Sequence, residues 1–267
     1  MSESPIIVVK IGGSTLGSHD TTLEDLVALQ GEGWRPAVVH GGGATISEWL
    51  NSRATPTRFV RGLRVTDAES LRVVVAVLAG LINKELVAAI TALGGQAIGL
   101  SGADGGLIRV RQLDPDLGYV GQIERVDSDM LVRLFDAGYL PVVAPLGLLW
   151  ENQRLQSQIL NINADTVAGE VAFALAAQWL LFLTDVAGVS GSDGSSLAHL
   201  SCQEAAALID QGTVSGGMIP KVEACLRVCQ GGTRTAIIDG RQPHALLAAV
   251  QRGEFAGTTI SQGEEAP

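Results

Sequence analysis

The chain has 267 residues, 46% hydrophobic but only 4% aromatic, with 33 glycines. That length supports one large α/β domain or two small ones around a core of Val, Leu, Ile and Ala. A formal charge of −10 argues against broad nucleic-acid binding and against anchoring to an anionic membrane.

The start, Met-Ser-Glu-Ser-Pro, lacks a basic region leading into an apolar one, so the expected location is cytoplasmic. Residues 5–10 read as a buried strand and 36–40 as a second, with helical spacing over 22–33 between them. A β-α-β beginning implies a parallel sheet. Residues 67–93 form the clearest helix. Leu71, Val74, Val75, Leu78, Leu81, Ile82, Leu86 and Ile90 recur at three- and four-residue intervals, and Thr66-Asp-Ala-Glu69 fits a capping box. Its apolar stripe is wide enough to meet a second subunit, although burial within one chain gives the same pattern.

Residues 96–101 return to strand. Segments 106–111 and 118–125 flank the turn-rich Asp114-Pro-Asp-Leu-Gly118 and read as an antiparallel hairpin over the sheet edge. Further on, 127–137 is a helix, 140–144 a strand, 164–177 a helix and 179–184 a strand. Helices at 201–211 and 218–229, a strand at 235–238 and a helix at 243–251 close the pattern. Two lobes on one continuous sheet meet near 150–163. The apolar run 171–183 is shorter than a membrane span and contains Gln178, so it reads as a buried helix entering a strand. Cys202, Cys225 and Cys229 are odd in number and lack disulfide-like spacing. They read as packing thiols in a reduced compartment, and no His or Cys lies near enough to make a metal site.

Only three of the 18 Lys and Arg positions are lysine, and two of these, Lys10 and Lys221, sit beside glycine pairs. A compact ammonium next to bare backbone amides suits phosphate. Lys10-Ile-Gly-Gly13 ends the first strand, where an open parallel sheet places its ligands. His40-Gly-Gly-Gly43 ends the second and leads into a helix, an anion-binding arrangement in which His40 orients the loop. Arg64, in Gly62-Leu-Arg-Val-Thr-Asp67, offers a fork for a carboxylate or pairs with Asp67 or a carbonyl. Asn161-Ile-Asn-Ala-Asp165 puts an aspartate in a helix's first turn. Leu183-Thr-Asp-Val-Ala-Gly-Val189 ends a strand in a polar loop, and Gly216-Gly-Met-Ile-Pro-Lys221 opens a helix with a lysine. No G-x-x-x-x-G-K-[ST] is present, nor a G-x-G-x-x-G in the first βα turn, so a P-loop and a dinucleotide-linked oxidoreductase both lack their fingerprint.

In this order and spacing, and with Gly99-Leu-Ser-Gly-Ala-Asp104-Gly and Gly257-Thr-Thr-Ile260, these stretches resemble the amino acid kinase family from Ile6 to Ile260. The resemblance implies a three-layer αβα sandwich around a mainly parallel open sheet. An N-terminal lobe (residues 5–160) would hold the acyl substrate. A C-terminal lobe (residues 161–260) would hold ATP, with Mg2+ carried mainly by the phosphates. Lys10 and Lys221 would neutralise the transferring phosphoryl group from two sides, and Asp165 would hold both lysines. Amides of Gly12, Gly13 and Gly43 would bond the moving oxygens, while Gly42, Gly43, Arg64 and Asn161 would fix the acyl substrate. Asp185, Val186, Gly188, Val189 and Ser190, with Thr213, Val214 and Ser215, would line the nucleotide site.

The third glycine after His40 and the paired asparagines favour the branch that phosphorylates the side-chain carboxylate of free N-acetyl-L-glutamate, in arginine biosynthesis. The other branch acts on aminoadipate or glutamate attached to a carrier protein. Arg61 departs from the asparagine usual there, and Lys84 has no chemical task under this reading. An inactive binding module would lack one of the lysines or Asp165, and all three are present. The resemblance also implies a homodimer. The first strand starts too early to leave room for the N-terminal helix of arginine-inhibited hexamers, so arginine insensitivity is expected.

Overall fold

The computed structural model describes residues 4–12, 21–60 and 62–263. Gly13 and Arg61 fall outside the described residues.

In chain order the elements begin with β1 (Ile6–Ile11), α1 (Thr22–Gly31), β2 (Arg35–His40), α2 (Gly43–Ser52) and the short β3 (Phe59–Val60) and β4 (Leu63–Arg64). A long helical run follows, made of α3 (Ala68–Val75), a π-helical segment (Ala76–Ile82) and α4 (Asn83–Ala92). Next come β5 (Ala97–Ser101), β6 (Ile108–Gln112), β7 (Gly121–Val126), α5 (Ser128–Asp136), β8 (Leu140–Ala144), β9 (Leu146–Glu151) and β10 (Arg154–Asn161). The remainder is α6 (Ala164–Ala174), β11 (Trp179–Thr184), β12 (Val189–Ser190), β13 (Ser196–Leu197), β14 (His199–Ser201), α7 (Cys202–Asp210), α8 (Ile219–Cys229), β15 (Arg234–Asp239), α9 (Ala245–Leu247) and β16 (Gly257–Ser261).

Eight strands form one sheet in the order β14-β16-β15-β11-β1-β2-β8-β5, parallel except for the β15–β16 pair. Alternation along β1 explains the layers. Ile7, Val9 and Ile11 point to one face, where Leu26 and Leu29 of α1, Leu86 and Ile90 of α4, and Leu246 of α9 cover them. Val8 points to the other, beneath Val167 and Val171 of α6 and Val222 and Val228 of α8. With both faces covered, the central strands need no polar alternation and read as unbroken apolar runs. Lys10 has the parity of Val8, so its side chain emerges on the α6–α8 side at the strand's C-terminal end.

The expected hairpin exists, β6 with β7, but it belongs to a four-stranded sheet, β10-β9-β6-β7. The sequence did not betray β9 and β10. Their connection, Asn152-Gln153, takes positive φ at both residues (53° and 60°) without the glycine that marks most such turns, and β10 reads Arg-Leu-Gln-Ser-Gln, with few β-branched residues.

Three further expectations are corrected. The cap of the long helix is Asp67, whose carboxylate accepts from the Ser70 amide at 2.7 Å. Thr66 is instead fully buried, and its hydroxyl donates to the Arg64 carbonyl at 2.9 Å. The helix is not uniformly α, because the seven residues Ala76–Ile82 are π-helical. Cys202 and Cys229 form a disulfide and only Cys225 remains a packing thiol. The pairing joins the first residue of α7 to the last of α8, a proximity that linear spacing does not reveal. The 68–92 run is also the one helix among the described residues long and apolar enough to cross a bilayer, by length and composition alone.

Candidate active site

Lys10 at the end of β1, Asp165 in the first turn of α6 and Lys221 in the first turn of α8 converge. Lys10 Nζ lies 2.8 Å from Asp165 Oδ1, and Lys221 Nζ donates to Asp165 Oδ2 at 3.0 Å. Lys221 also donates to the Gly217 carbonyl at 3.0 Å, which folds its side chain back over the Gly216–Met218 turn. The three side chains are only 9%, 8% and 17% exposed in the order Lys10, Asp165, Lys221. Two ammonium groups share one carboxylate, so the cluster carries a surplus positive charge in a partly desolvated place. Burial depresses the Lys10 pKa, opposed chiefly by Asp165, while Lys221 pushes it down further. Such a cluster is receptive to an anion that can complete its charge balance.

Asp165 is placed by its neighbour. Asn163 Oδ1 accepts from the Asp165 and Thr166 amides at 2.8 and 3.1 Å, so the second asparagine of the motif is the helix cap. Asn161 ends β10 and donates from Nδ2 to the Thr66 hydroxyl at 3.2 Å.

Across a cavity of about 190 Å³ from the lysine cluster lies Arg64, whose residue is 8% exposed. Its Nη2 donates to the Gly43 carbonyl at 3.0 Å and to Ser47 Oγ at 2.7 Å, and its guanidinium stacks 4.7 Å from the Phe59 ring centroid. It does not pair with Asp67. Nη1 is buried with no hydrogen-bond partner. Arg64 lines the cavity, and a buried guanidinium with an orphaned donor is costly unless an acceptor is supplied on binding. Gly41, Gly42, Gly43, Asn161 and Asn163 also line the cavity. Gly42 precedes α2, and a Cβ there would fall 2.6 Å from Ile82 Cδ1 and 2.7 Å from Leu78 Cδ2, so the loop lies close enough to the π segment that any side chain would force those two to yield.

Residues 185–190 follow β11, the neighbour of β1. Thr184 Oγ1 accepts from the Val186 amide at 3.2 Å, and the Val189 amide donates to Thr258 Oγ1 at 2.8 Å, which fixes the loop around Gly188. Asp185 is close enough to raise the Lys10 pKa electrostatically. Thr213–Ser215 precede the turn that opens α8. The side chains of Val189 and Val214 are buried in the core, so these two have only backbone to offer a ligand. The structure thus gathers Lys10, Asp165, Gly42, Gly43, Arg64 and Asn161 at one cavity, with Lys221 bonded to Asp165 beside it, while Asp185, Val186, Gly188, Val189 and Ser190 lie at the adjacent strand end. Sequence reading missed Phe59, Ser47 and the capping role of Asn163. It also missed Arg241, whose Nε and Nη2 fork onto Asp239 at 2.8 Å each and whose pKa is raised by Asp239 and, more weakly, by Asp185. Ser47 and Phe59 act through Arg64, which no local pattern links to them, while the Asn163 and Arg241 contacts are local but carry no motif of their own. Among the described residues no group of three His, Cys, Asp or Glu could hold a metal ion.

The chain matches the family model described as the amino acid kinase family over residues 5–239. An acetylglutamate kinase from Dehalococcoides mccartyi is 44% identical over 261 residues, covering 97% of this chain and 96% of that protein. Among solved structures, the smu.665 protein of Streptococcus mutans superposes with a TM-score of 0.82 at 28% identity, covering 97% of this chain and 99% of that one. An N-acetylglutamate synthase from Neisseria gonorrhoeae, complexed with coenzyme A and N-acetylglutamate, superposes with a TM-score of 0.83 at 26% identity over 98% of this chain and 60% of that one.

Proposed function

Because this chain belongs to the amino acid kinase family, we propose that it transfers the γ-phosphoryl group of ATP to the side-chain carboxylate of N-acetyl-L-glutamate. The product is N-acetyl-L-glutamyl 5-phosphate, in cytoplasmic arginine biosynthesis. The observation that carries this reading is the opposition of two cationic elements across one cavity. Lys10 and Asp165, which also holds Lys221, line it, and so does Arg64, a buried arginine with one donor left without a partner. The first suits a moving phosphoryl group and the second a fixed carboxylate.

In this scheme residues 5–160 hold the acyl substrate through Gly42, Gly43, Arg64 and Asn161. Residues 161–260 hold ATP through Asp185, Val186, Gly188, Val189 and Ser190, and through Thr213, Val214 and Ser215. Lys10 and Lys221 stay bonded to Asp165 while their remaining N–H groups turn to the phosphoryl oxygens. Amides of Gly12, Gly13 and Gly43 do the same from the glycine loops. Phosphoryl transfer asks a protein mainly for alignment and charge stabilisation. The attacking carboxylate is ionised at neutral pH and needs no base. Two carboxylates at this end of the sheet are already engaged, Asp165 with both lysines and Asp239 with Arg241. That donor set suits Mg2+ held mainly by the phosphates, where the ion would neutralise charge on the triphosphate.

An ADP-release assay with N-acetyl-L-glutamate, glutamate, uridylate and carbamate tests the assignment. Turnover is expected with the first, with hydroxylamine trapping an acyl phosphate. Turnover with none of the four, or selective turnover of another acceptor, rejects it. The partly uncovered apolar helix at 68–92, with 39% of its most apolar window buried, supports a homodimer joined through that helix. Sedimentation equilibrium should give twice the chain mass, and a monomer at micromolar concentration would refute the pairing.

A further inference from the structure

His40 is buried at 1% exposure, close to the site and without a role in the scheme above. Its ring is fully engaged. Nδ1 lies 3.0 Å from the carbonyl of Gly41, an acceptor, so Nδ1 carries the proton. Asn83 Nδ2 approaches Nε2 at 3.2 Å. The same amide group donates to the Val142 carbonyl at 2.8 Å and the Leu100 carbonyl at 3.3 Å, while Asn83 Oδ1 accepts from Lys84 Nζ at 2.9 Å. With Oδ1 turned to an ammonium, the amide orientation is settled: of the two N–H bonds on Nδ2 one goes to Val142 and the other is shared between the Leu100 carbonyl and Nε2, so Nε2 faces a donor. Lys84 also donates to the Gly99 carbonyl at 3.0 Å, and a Cβ on Gly99 would collide with Asn83 Oδ1. Asn83 is itself 0% exposed and sits where the π-helical segment returns to α. That segment also supplies Leu78 and Ile82, the side chains pressed against Gly42. π-helical turns recur at functional sites because they re-aim side chains.

We propose that Asn83 is a positioning residue for phosphoryl transfer: supported by Lys84 and Gly99, it holds His40 in the Nδ1-protonated tautomer, and His40 thereby fixes the Gly41–Gly43 loop. The inference rests on the kinase reading and assigns Lys84 and Gly99 the task of bracing the amide. The charged groups whose fields reach His40 are Lys10 on β1 and Lys84 on α4. Burial, chiefly, and then these two ammonium groups push its pKa down to about 4, against the bond to Gly41. The ring is therefore neutral throughout the working range, and its tautomer is set by hydrogen bonding alone.

Two measurements test this. Nitrogen-15 NMR of the wild-type protein should report His40 bare at Nε2 and protonated at Nδ1. An Nε2-protonated or doubly protonated ring at neutral pH overturns the proposal, whatever the activity. In the ADP-release assay, Asn83→Leu should lower kcat on the order of 10²-fold, as expected when a catalytic element is misplaced by about 1 Å, with little change in KM for ATP. Asn83→Asp is more telling. A carboxylate cannot donate to Nε2, so the ring must move its proton there and lose Gly41, or bind a second proton and regain both bonds. Its activity relative to wild type should rise as pH is lowered from about 8 to about 6, through the His40 pKa that the new carboxylate raises. A folded Asn83→Leu protein with wild-type kcat, or an Asn83→Asp profile parallel to wild type, overturns it. If the wild-type enzyme turns over no acceptor, the kinase reading fails, and the NMR result still decides the tautomer.

Discussion

Replacing Lys221 by methionine is expected to lower kcat for N-acetylglutamate by about 10²–10³-fold, the loss seen when one preorganised donor to a developing charge is removed. The reason lies in how the ammonium is held. Two of its contacts, Asp165 Oδ2 and the Gly217 carbonyl, are internal at 3.0 Å each, and they place the remaining N–H without using up the charge. At 17% exposure the side chain is the more open of the two lysines, so it can follow an oxygen that moves. Methionine fills the volume and leaves Asp165 with Lys10, so the fold should survive. Arginine should rescue poorly. Its planar fork would take Asp165 in a bidentate grip and direct its other donors elsewhere. The measurement is steady-state kinetics with both substrates varied. A Lys221→Met enzyme within a few-fold of wild-type kcat would remove Lys221 from the transition state.

Much of this arrangement was legible in the chain because the central strands are buried on both faces. Continuous apolar runs gave β1, β2, β8 and β11 nearly to the residue, with glycine directly after the first two, and the parity of Lys10 with Val8 follows from strand geometry alone. The two lysines, the aspartate and the arginine that the motifs singled out lie close together in the structure. Their meeting was legible only through the family resemblance, since no pattern in β1 announces that α6 and α8 will cover its Val8 face. Other features were hidden for identifiable reasons. A π segment keeps an apolar stripe, so residues 76–82 looked like ordinary helix, and Asn83 looked like one polar residue on a long helix when it is a buried hub. The Asn152-Gln153 turn lacked glycine, and the Cys202–Cys229 pairing depends on two helices lying side by side. Thr66 matched a cap by spacing, but burial beside Asn161 claimed its hydroxyl and left the cap to Asp67.

Asp165→Asn should affect both rate and stability, and its pH dependence separates the two. The carboxylate is 8% exposed and is the counter-charge between two ammonium groups. Asparagine keeps the shape and can still accept from one lysine, but it leaves two buried positive charges facing each other. Breaking a buried ionic grouping by removing one partner costs about 3–5 kcal/mol, and kcat should fall on the order of 10²-fold because the lysines no longer converge. The sign with pH follows from Lys10. Its folded pKa already lies below the ordinary value through burial, with Asp165 as the chief opposing influence, so the substitution lowers it further. A lysine whose folded pKa is depressed binds fewer protons folded than unfolded, and stability therefore rises with pH between the folded value and the unfolded value of about 10.4. The penalty is complete below the lowered folded pKa and shrinks above it. Thermal denaturation of wild type and variant from about pH 7 to about pH 10 should show the gap in Tm narrowing as pH rises. A gap that stays constant or widens would mean that Asp165 does not hold Lys10 charged, and the two lysines would then need another anchor.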